Sequence, residues 1–172
     1  FGGPGELALG GPDPERHVGA LRFVDLLAGV SLWTFALEAV WIGDAACFLE
    51  ASRARVDSFF SFLTGPPGVV AALVTAWGAG DEGGTYTLPC DANGPSLSFR
   101  IDGRDYTLTA LDLVWKLNAT HCALGVEPWG QGQPQDVWRL GQSFLRRFYV
   151  LHDAGRKRLG LAPARHPTEA RV

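Results

Sequence analysis

The sequence predicts a mainly β fold with a few short helices. Three observations predict it. Glycine (22) and proline (11) are abundant, as many short strands joined by tight turns require. Apolar residues alternate with small or polar ones in short runs, as Trp33, Phe35 and Leu37 do around Thr34 and Ala36. Hydrophobic residues make up 47% of the 172 against 19% charged, which supports one sizeable core and excludes disorder over most of the length.

Taken in order, residues 1–5 read as a loop and 6–9 as a short strand ended by the turn cluster Gly10-Gly11-Pro12-Asp13-Pro14. Residues 21–27 and 31–42 read as strands, the second turning at Gly43-Asp44. Residues 51–63 read as a helix, because Val56, Phe59, Phe60 and Leu63 fall at helical spacing and Ser52 can cap. Gly65-Pro66-Pro67-Gly68 ends it, and the apolar run 69–77 is ambiguous between strand and helix. After a loop at 78–84 the chain is strand-rich: 85–89, 97–101 and 106–108, with Asp102-Gly103 as a hairpin turn. Thr109 caps a short helix near 109–113. A Gly/Pro/Gln loop at 127–134 precedes a strand at 137–140 and a helical turn at 143–147. A closing hairpin joins 148–152 to 158–162 across Asp153-Ala154-Gly155. One lobe over 1–163 and a polar tail over 164–172 are expected.

The net charge of -3 and a pI near 5.8 give no polyanion-binding surface, so nucleic acid is not an expected partner. Residues 26–49 carry only Glu38 and Asp44 as charges and are long enough to span a bilayer, but their alternation suits buried strands, so no integral span is expected. Residues 1–14 have neither a basic start nor an apolar h-region, and the chain has no methionine, which reads as a piece of a longer product. His17, His121, His152 and His166 lack metal-ligand spacing; no metal and no cofactor is expected. Ser52, Ser143 and His152 stand in no nucleophile-elbow context. Of the three cysteines, Cys47 sits in an apolar run and reads as a buried thiol, while Cys90 and Cys122 could close a loop around one hairpin.

The order of pieces resembles the C-terminal lobe of pepsin-like aspartic proteases. Gly5-Glu6-Leu7-Ala8-Leu9-Gly10-Gly11-Pro12-Asp13 is similar to G-E-L-x-L-G-G-x-D, and the run from Trp33 to Ile42 to W-Q-x-x-L-D-x-V-x-V. Thr85-Tyr86-Thr87-Leu88-Pro89-Cys90 resembles Y-x-I-P-C, and the run from Leu97 to Leu108 resembles I-T-F-x-I-G-G-K-D-Y-x-L. Cys122-Ala123-Leu124-Gly125 stands where the family has C-L-S-G. The run from Trp138 to Tyr149 resembles W-I-L-G-D-x-F-L-R-x-Y-Y, and Arg158-Leu159-Gly160-Leu161-Ala162-Pro163 resembles R-V-G-F-A-P. The resemblance implies one lobe of a pepsin-like fold, a psi-type β-barrel, with a Cys90–Cys122 disulfide. It also implies entry into the secretory route or an oxidising organellar lumen.

The family's reaction needs two aspartates sharing one proton across a water, one supplied by each lobe within D-T-G or D-S-G. No such tripeptide occurs in this chain. Anchored on the Trp33 strand, the motif should follow the turn at Gly43-Asp44, which puts Leu49-Glu50-Ala51-Ser52, or residues close by, over it; leucine transfers no proton. A second register puts Asp44 on the catalytic position but loses the hydroxyl and the glycine, and Gln142 replaces the Asp after L-G. The expectation is a non-catalytic domain serving as a structural or binding subunit, with other protein chains covering the surface that a companion lobe would meet. The alternatives are one lobe of a divergent two-chain endopeptidase and a non-cleaving peptide-binding module. The runs 31–42 and 69–77 are candidates for the covered surface. Trp129, between Pro128 and Gly130, reads as an exposed interface anchor. Arg146 and Arg147, with Arg156, Lys157 and Arg158, read as a solvated or docking basic face. Asn118-Ala119-Thr120 is a candidate glycosylation sequon.

Overall fold

The computed structural model describes residues 7–30, 32–47, 52–132 and 136–165. Its first half carries β1 (Arg22–Asp25), β2 (Thr34–Ala36), β3 (Ala39–Ile42), β4 (Ala45–Cys47), β5 (Arg53–Val56), β6 (Leu63–Gly65) and α1 (Pro67–Trp77). Next come β7 (Gly80–Glu82), β8 (Thr85–Pro89), β9 (Leu97–Ile101), β10 (Arg104–Leu108), α2 (Ala110–Leu113), β11 (Val114–Lys116) and β12 (His121–Leu124). β13 (Val126–Pro128), β14 (Val137–Leu140), α3 (Gln142–Leu145), β15 (Phe148–Asp153) and β16 (Arg158–Pro163) complete the chain.

The strands form four sheets among the described residues: β13-β6-β14-β5-β2, β10-β9-β3-β4, β11-β12-β8-β7 and β1-β16-β15. The five-stranded sheet positions the site. β5 and β6 are successive strands, yet β14 lies between them, parallel to β5 from Val137↔Arg53 to Leu140↔Val56 and antiparallel to β6 at Arg139↔Thr64. That is the psi-shaped threading expected of a pepsin-like lobe. Trp138 at its centre is buried and sits edge-on to Phe99 at 5.1 Å. Gly65 is glycine because a Cβ there would lie 2.4 Å from the Trp138 ring.

Several expectations hold. β9 and β10 pair across Asp102-Gly103, whose φ values of 48° and 69° suit a tight hairpin turn. Thr109 caps α2 reciprocally with Asp112. β15 and β16 pair as the closing hairpin, and Cys90 is bonded to Cys122. Cys47 is free and half-buried, and burial pushes its thiol pKa up.

Others are corrected. Residues 52–63, the described part of the expected helix 51–63, are not helical. Ala54 and Val56 are buried and alternate with half-buried Arg53 and Arg55, a strand period, and pairing with β2 and β14 on both sides outweighs the helical spacing of the apolar residues. The run 31–42 is two strands in two sheets: Leu37 N–H donates to Ser52 O and Glu38 N–H to Arg100 O where the chain crosses over. The run 69–77 is helical. Pro67 opens α1, Gly78 closes it at φ 63°, and Val69, Leu73 and Trp77 fall one turn apart on its buried face. With Val70 and Leu73 fully buried in the core, α1 does not offer them to a partner. Leu7 and Leu9 are exposed outside any strand, while Glu6 and Ser31 lie outside the described residues. Ala164 N–H donates to Arg147 O and Arg165 N–H to Arg16 O. No helix among the described residues is long and apolar enough to cross a membrane.

Candidate functional site

The β5–β6 connection, residues 57–62, loops around the end of β14. Asp57 N–H donates to Leu140 O at 3.1 Å, so the loop starts pinned to the threaded strand. The next turn, at Gly141-Gln142-Ser143, holds the far side. Gln142 N–H donates to Phe60 O at 2.8 Å, Ser143 N–H to Ser61 O at 3.0 Å, and the Gln142 side-chain amide to Ser58 O at 3.4 Å. This approach leaves no room at residue 141: a Cβ there would lie 2.2 Å from Phe62 O and 2.5 Å from Phe60 O. Buried Ser143 Oγ accepts from Trp115 Nε1 and donates to Gly125 O.

The loop carries Asp57-Ser58-Phe59. Asp57 Oδ1 accepts the Phe59 N–H at 3.2 Å, a local turn that fixes the carboxylate. Phe59 is 86% exposed, beside Phe60 with ring centroids 5.2 Å apart. Of the two registers expected from the sequence, the first falls largely outside the described residues. Leu49, Glu50 and Ala51 lie outside the described residues, and Ser52 precedes β5 as an acceptor for Leu37 N–H. Asp44 is exposed at the turn between β3 and β4, in a different sheet. Asp57, the first residue of the loop, begins the tripeptide Asp57-Ser58-Phe59, which has phenylalanine in the third place where D-S-G has glycine.

Beside Asp57 the sheet is polar in a way its buried position disfavours. The register sets Glu127, Thr64, Arg139, Arg55 and Thr34 opposite one another across all five strands, hence on one face. Thr64 Oγ1 donates to Glu127 at 3.0 Å. Arg139 is 8% exposed; its Nε lies 3.8 Å from Asp57 Oδ2, an ion pair too long for a hydrogen bond. Among the described residues, neither Arg139 Nε nor Arg55 Nε has a hydrogen-bond acceptor. Burial, then the neighbouring Arg55 charge, lower the Arg139 pKa against the opposing pull of Asp57 and Glu127. Two rings compensate in part: the Arg139 guanidinium lies 3.5 Å from the Phe60 centroid and 4.5 Å from that of Trp129.

This corrects the reading of Trp129. It is 5% exposed, donates Nε1–H to Val137 O at 2.6 Å and covers both arginines. Its Pro/Gly neighbours suggested a surface loop, but two cationic partners on the adjacent strands draw the ring inward. Arg146 folds onto Trp115 at 4.3 Å, and burial lowers its pKa; Arg147 is half-buried; Arg156 and Arg158 both pair with Asp153. The basic cluster is thus largely engaged within the lobe. Asn118 is exposed on the β11–β12 connection. No group of three metal-ligating side chains occurs among the described residues.

Arg139 combines a buried, unsatisfied donor with a like-charged cross-strand neighbour, so Arg139→Leu is expected to raise stability by about 1 kcal/mol despite the lost ring contacts. Urea denaturation checks this, and a midpoint below that of the native chain would show the ion pair to be net stabilising.

The family model described as eukaryotic aspartyl protease matches residues 2–164. Cathepsin E of Cavia porcellus is 38% identical over 95% of this chain, which covers 44% of that relative. Cathepsin E of Rattus norvegicus is 35% identical over 95% of the chain and 43% of the relative. Renin of Rattus norvegicus is 32% identical over 94% of the chain and 42% of the relative. The chain therefore spans under half the length of the curated relatives it matches. A family model that matches residues 2–164 and relatives identical at up to 38% over 95% of the chain agree: the chain belongs to the eukaryotic aspartyl protease family.

Proposed function

We propose that this lobe is non-catalytic and serves as a structural or binding subunit of a larger protein assembly. The reading is carried by the start of the β5–β6 loop, where Asp57 Oδ2 lies 3.8 Å from Arg139 Nε and a phenylalanine stands in the tripeptide's third place. A shared-proton dyad depends on two carboxylates destabilising each other's charge. Asp57 here has the Arg139 guanidinium, and no carboxylate among the described residues, as its charged neighbour. Glycine at the third place lets backbone come close to the carboxylate, and Phe59 replaces it with an exposed ring. The surface left for partners includes Phe23 on the edge strand β1 and Phe59 at the loop apex. A Cys90–Cys122 bridge fits an oxidising compartment.

The second reading is the C-terminal lobe of a divergent aspartic endopeptidase, with Asp57 as its acid–base group. The retained carboxylate and its hydrogen bond from Phe59 N–H favour it. A fusion of this chain to the N-terminal half of the guinea-pig cathepsin E sequence separates the two. Peptide hydrolysis at acid pH is followed by mass spectrometry, with the relative's own C-terminal half as the positive control. No turnover is expected. Cleavage blocked by a transition-state mimic would establish the second reading. Intact peptide retained by the fusion without turnover would narrow the first to a peptide-binding module.

A further inference from the structure

We infer that Asn118 carries an N-linked glycan. Asn118-Ala119-Thr120 is the single N-x-S/T tripeptide in the sequence, and its middle residue is not proline. The fold puts it where a modifying enzyme can reach it: residues 117–121 are all exposed at the tip of the β11–β12 hairpin. The turn is closed from both sides, with Leu117 N–H and Asn118 N–H donating to His121 O at 3.1 and 3.0 Å.

The side chain is oriented as well as exposed. Asn118 Oδ1 accepts from Thr120 N–H at 3.0 Å, from His121 N–H at 2.8 Å and from the Thr120 hydroxyl at 3.3 Å. All of these bonds fall on the carbonyl oxygen, which leaves the amide nitrogen as the free end of the group. The hydroxyl two residues on, the feature that separates a sequon from any other asparagine, touches that same amide. Two residues beyond Thr120 the chain reaches Cys122, bonded to Cys90, and stable disulfides belong to the compartments in which lipid-linked glycans are transferred. The neighbouring Leu117 is 54% exposed, an apolar side chain at a hairpin tip that a bound sugar would shield.

The donor class is an oligosaccharide linked to a lipid pyrophosphate. The bond between the sugar C1 and Asn118 Nδ2 forms as the bond between C1 and the pyrophosphate oxygen breaks. The lipid pyrophosphate leaves, the amide nitrogen gives up one proton, and nothing is oxidised or reduced.

The full chain, expressed behind a secretory leader in cultured animal cells, tests this through peptide N-glycosidase treatment of both the cell lysate and the medium. The native chain is expected to run faster on a gel after treatment, with residue 118 recovered as aspartate in the peptide map. Asn118→Gln and Thr120→Ala are expected to abolish the shift, while Thr120→Ser, which preserves a hydroxyl, retains it. A native chain that the enzyme leaves unshifted, or a shift that survives Asn118→Gln, would overturn the inference.

Discussion

Trp138→Ala is expected to lower stability by about 3–5 kcal/mol. The side chain is 1% exposed, lies against Phe99 and fills the space over Gly65. It belongs to β14, which is hydrogen-bonded on both sides by the strands that flank the Asp57 loop. The cavity therefore opens at the threading point rather than at a margin that could collapse. Against a total of about 5–15 kcal/mol for an ordinary domain, the variant retains little margin. Denaturant unfolding measures the loss, and Trp138→Phe, which keeps a ring, is expected to lose less. A shift under about 1 kcal/mol for the alanine variant would mean that β14 does not anchor the loop.

Loss of the Cys90–Cys122 bond is the second large effect. The cysteines are 32 residues apart and tie the start of the segment carrying β9 and β10 to β12. Closing a loop of that length restricts the unfolded chain by about 3.7 kcal/mol in the chain-entropy account. Cys90→Ala/Cys122→Ala is expected to unfold at correspondingly lower denaturant. The reduced native chain should follow it closely, since both have the same freed loop. A double variant as stable as the oxidised chain would show that residual structure already restrains this segment when unfolded.

Much of this lobe is legible in the sequence because local rules and tertiary structure agree there. Asp102-Gly103 demands a hairpin, Thr109 with Asp112 demands a helix start, and the repeated strand patterns around them have one plausible pairing. The disulfide followed from the family resemblance rather than from spacing. The site was the least legible part. Val56, Phe59, Phe60 and Leu63 mimic a helical stripe, yet only Val56 and Leu63 enter the core as strand residues, and Phe59 points its surface to solvent. Read as a helix, the segment does not present Asp57 at a turn beside a neighbouring strand. One signal could have found it: the two-residue period of Arg53, Ala54, Arg55 and Val56 runs straight into an aspartate followed by a serine. Trp129 misled for a different reason. A Pro/Gly neighbourhood describes the local chain, whereas its burial depends on Arg139 and Arg55, which only strand pairing brings beneath it.

Under the proposed reading, Phe59, Phe60 and Arg139 keep a lobe that retains Asp57 from supporting hydrolysis. Reversing them tests this most directly. In the fusion with the cathepsin E N-terminal half, Phe59→Gly/Phe60→Thr/Arg139→Ile rebuilds the family pattern around the carboxylate. The rate of peptide cleavage at acid pH is the measurement. The prediction is turnover in the triple variant, abolished by adding Asp57→Asn, and none in the fusion carrying the native lobe. Equal turnover by the native and reverted lobes would contradict it.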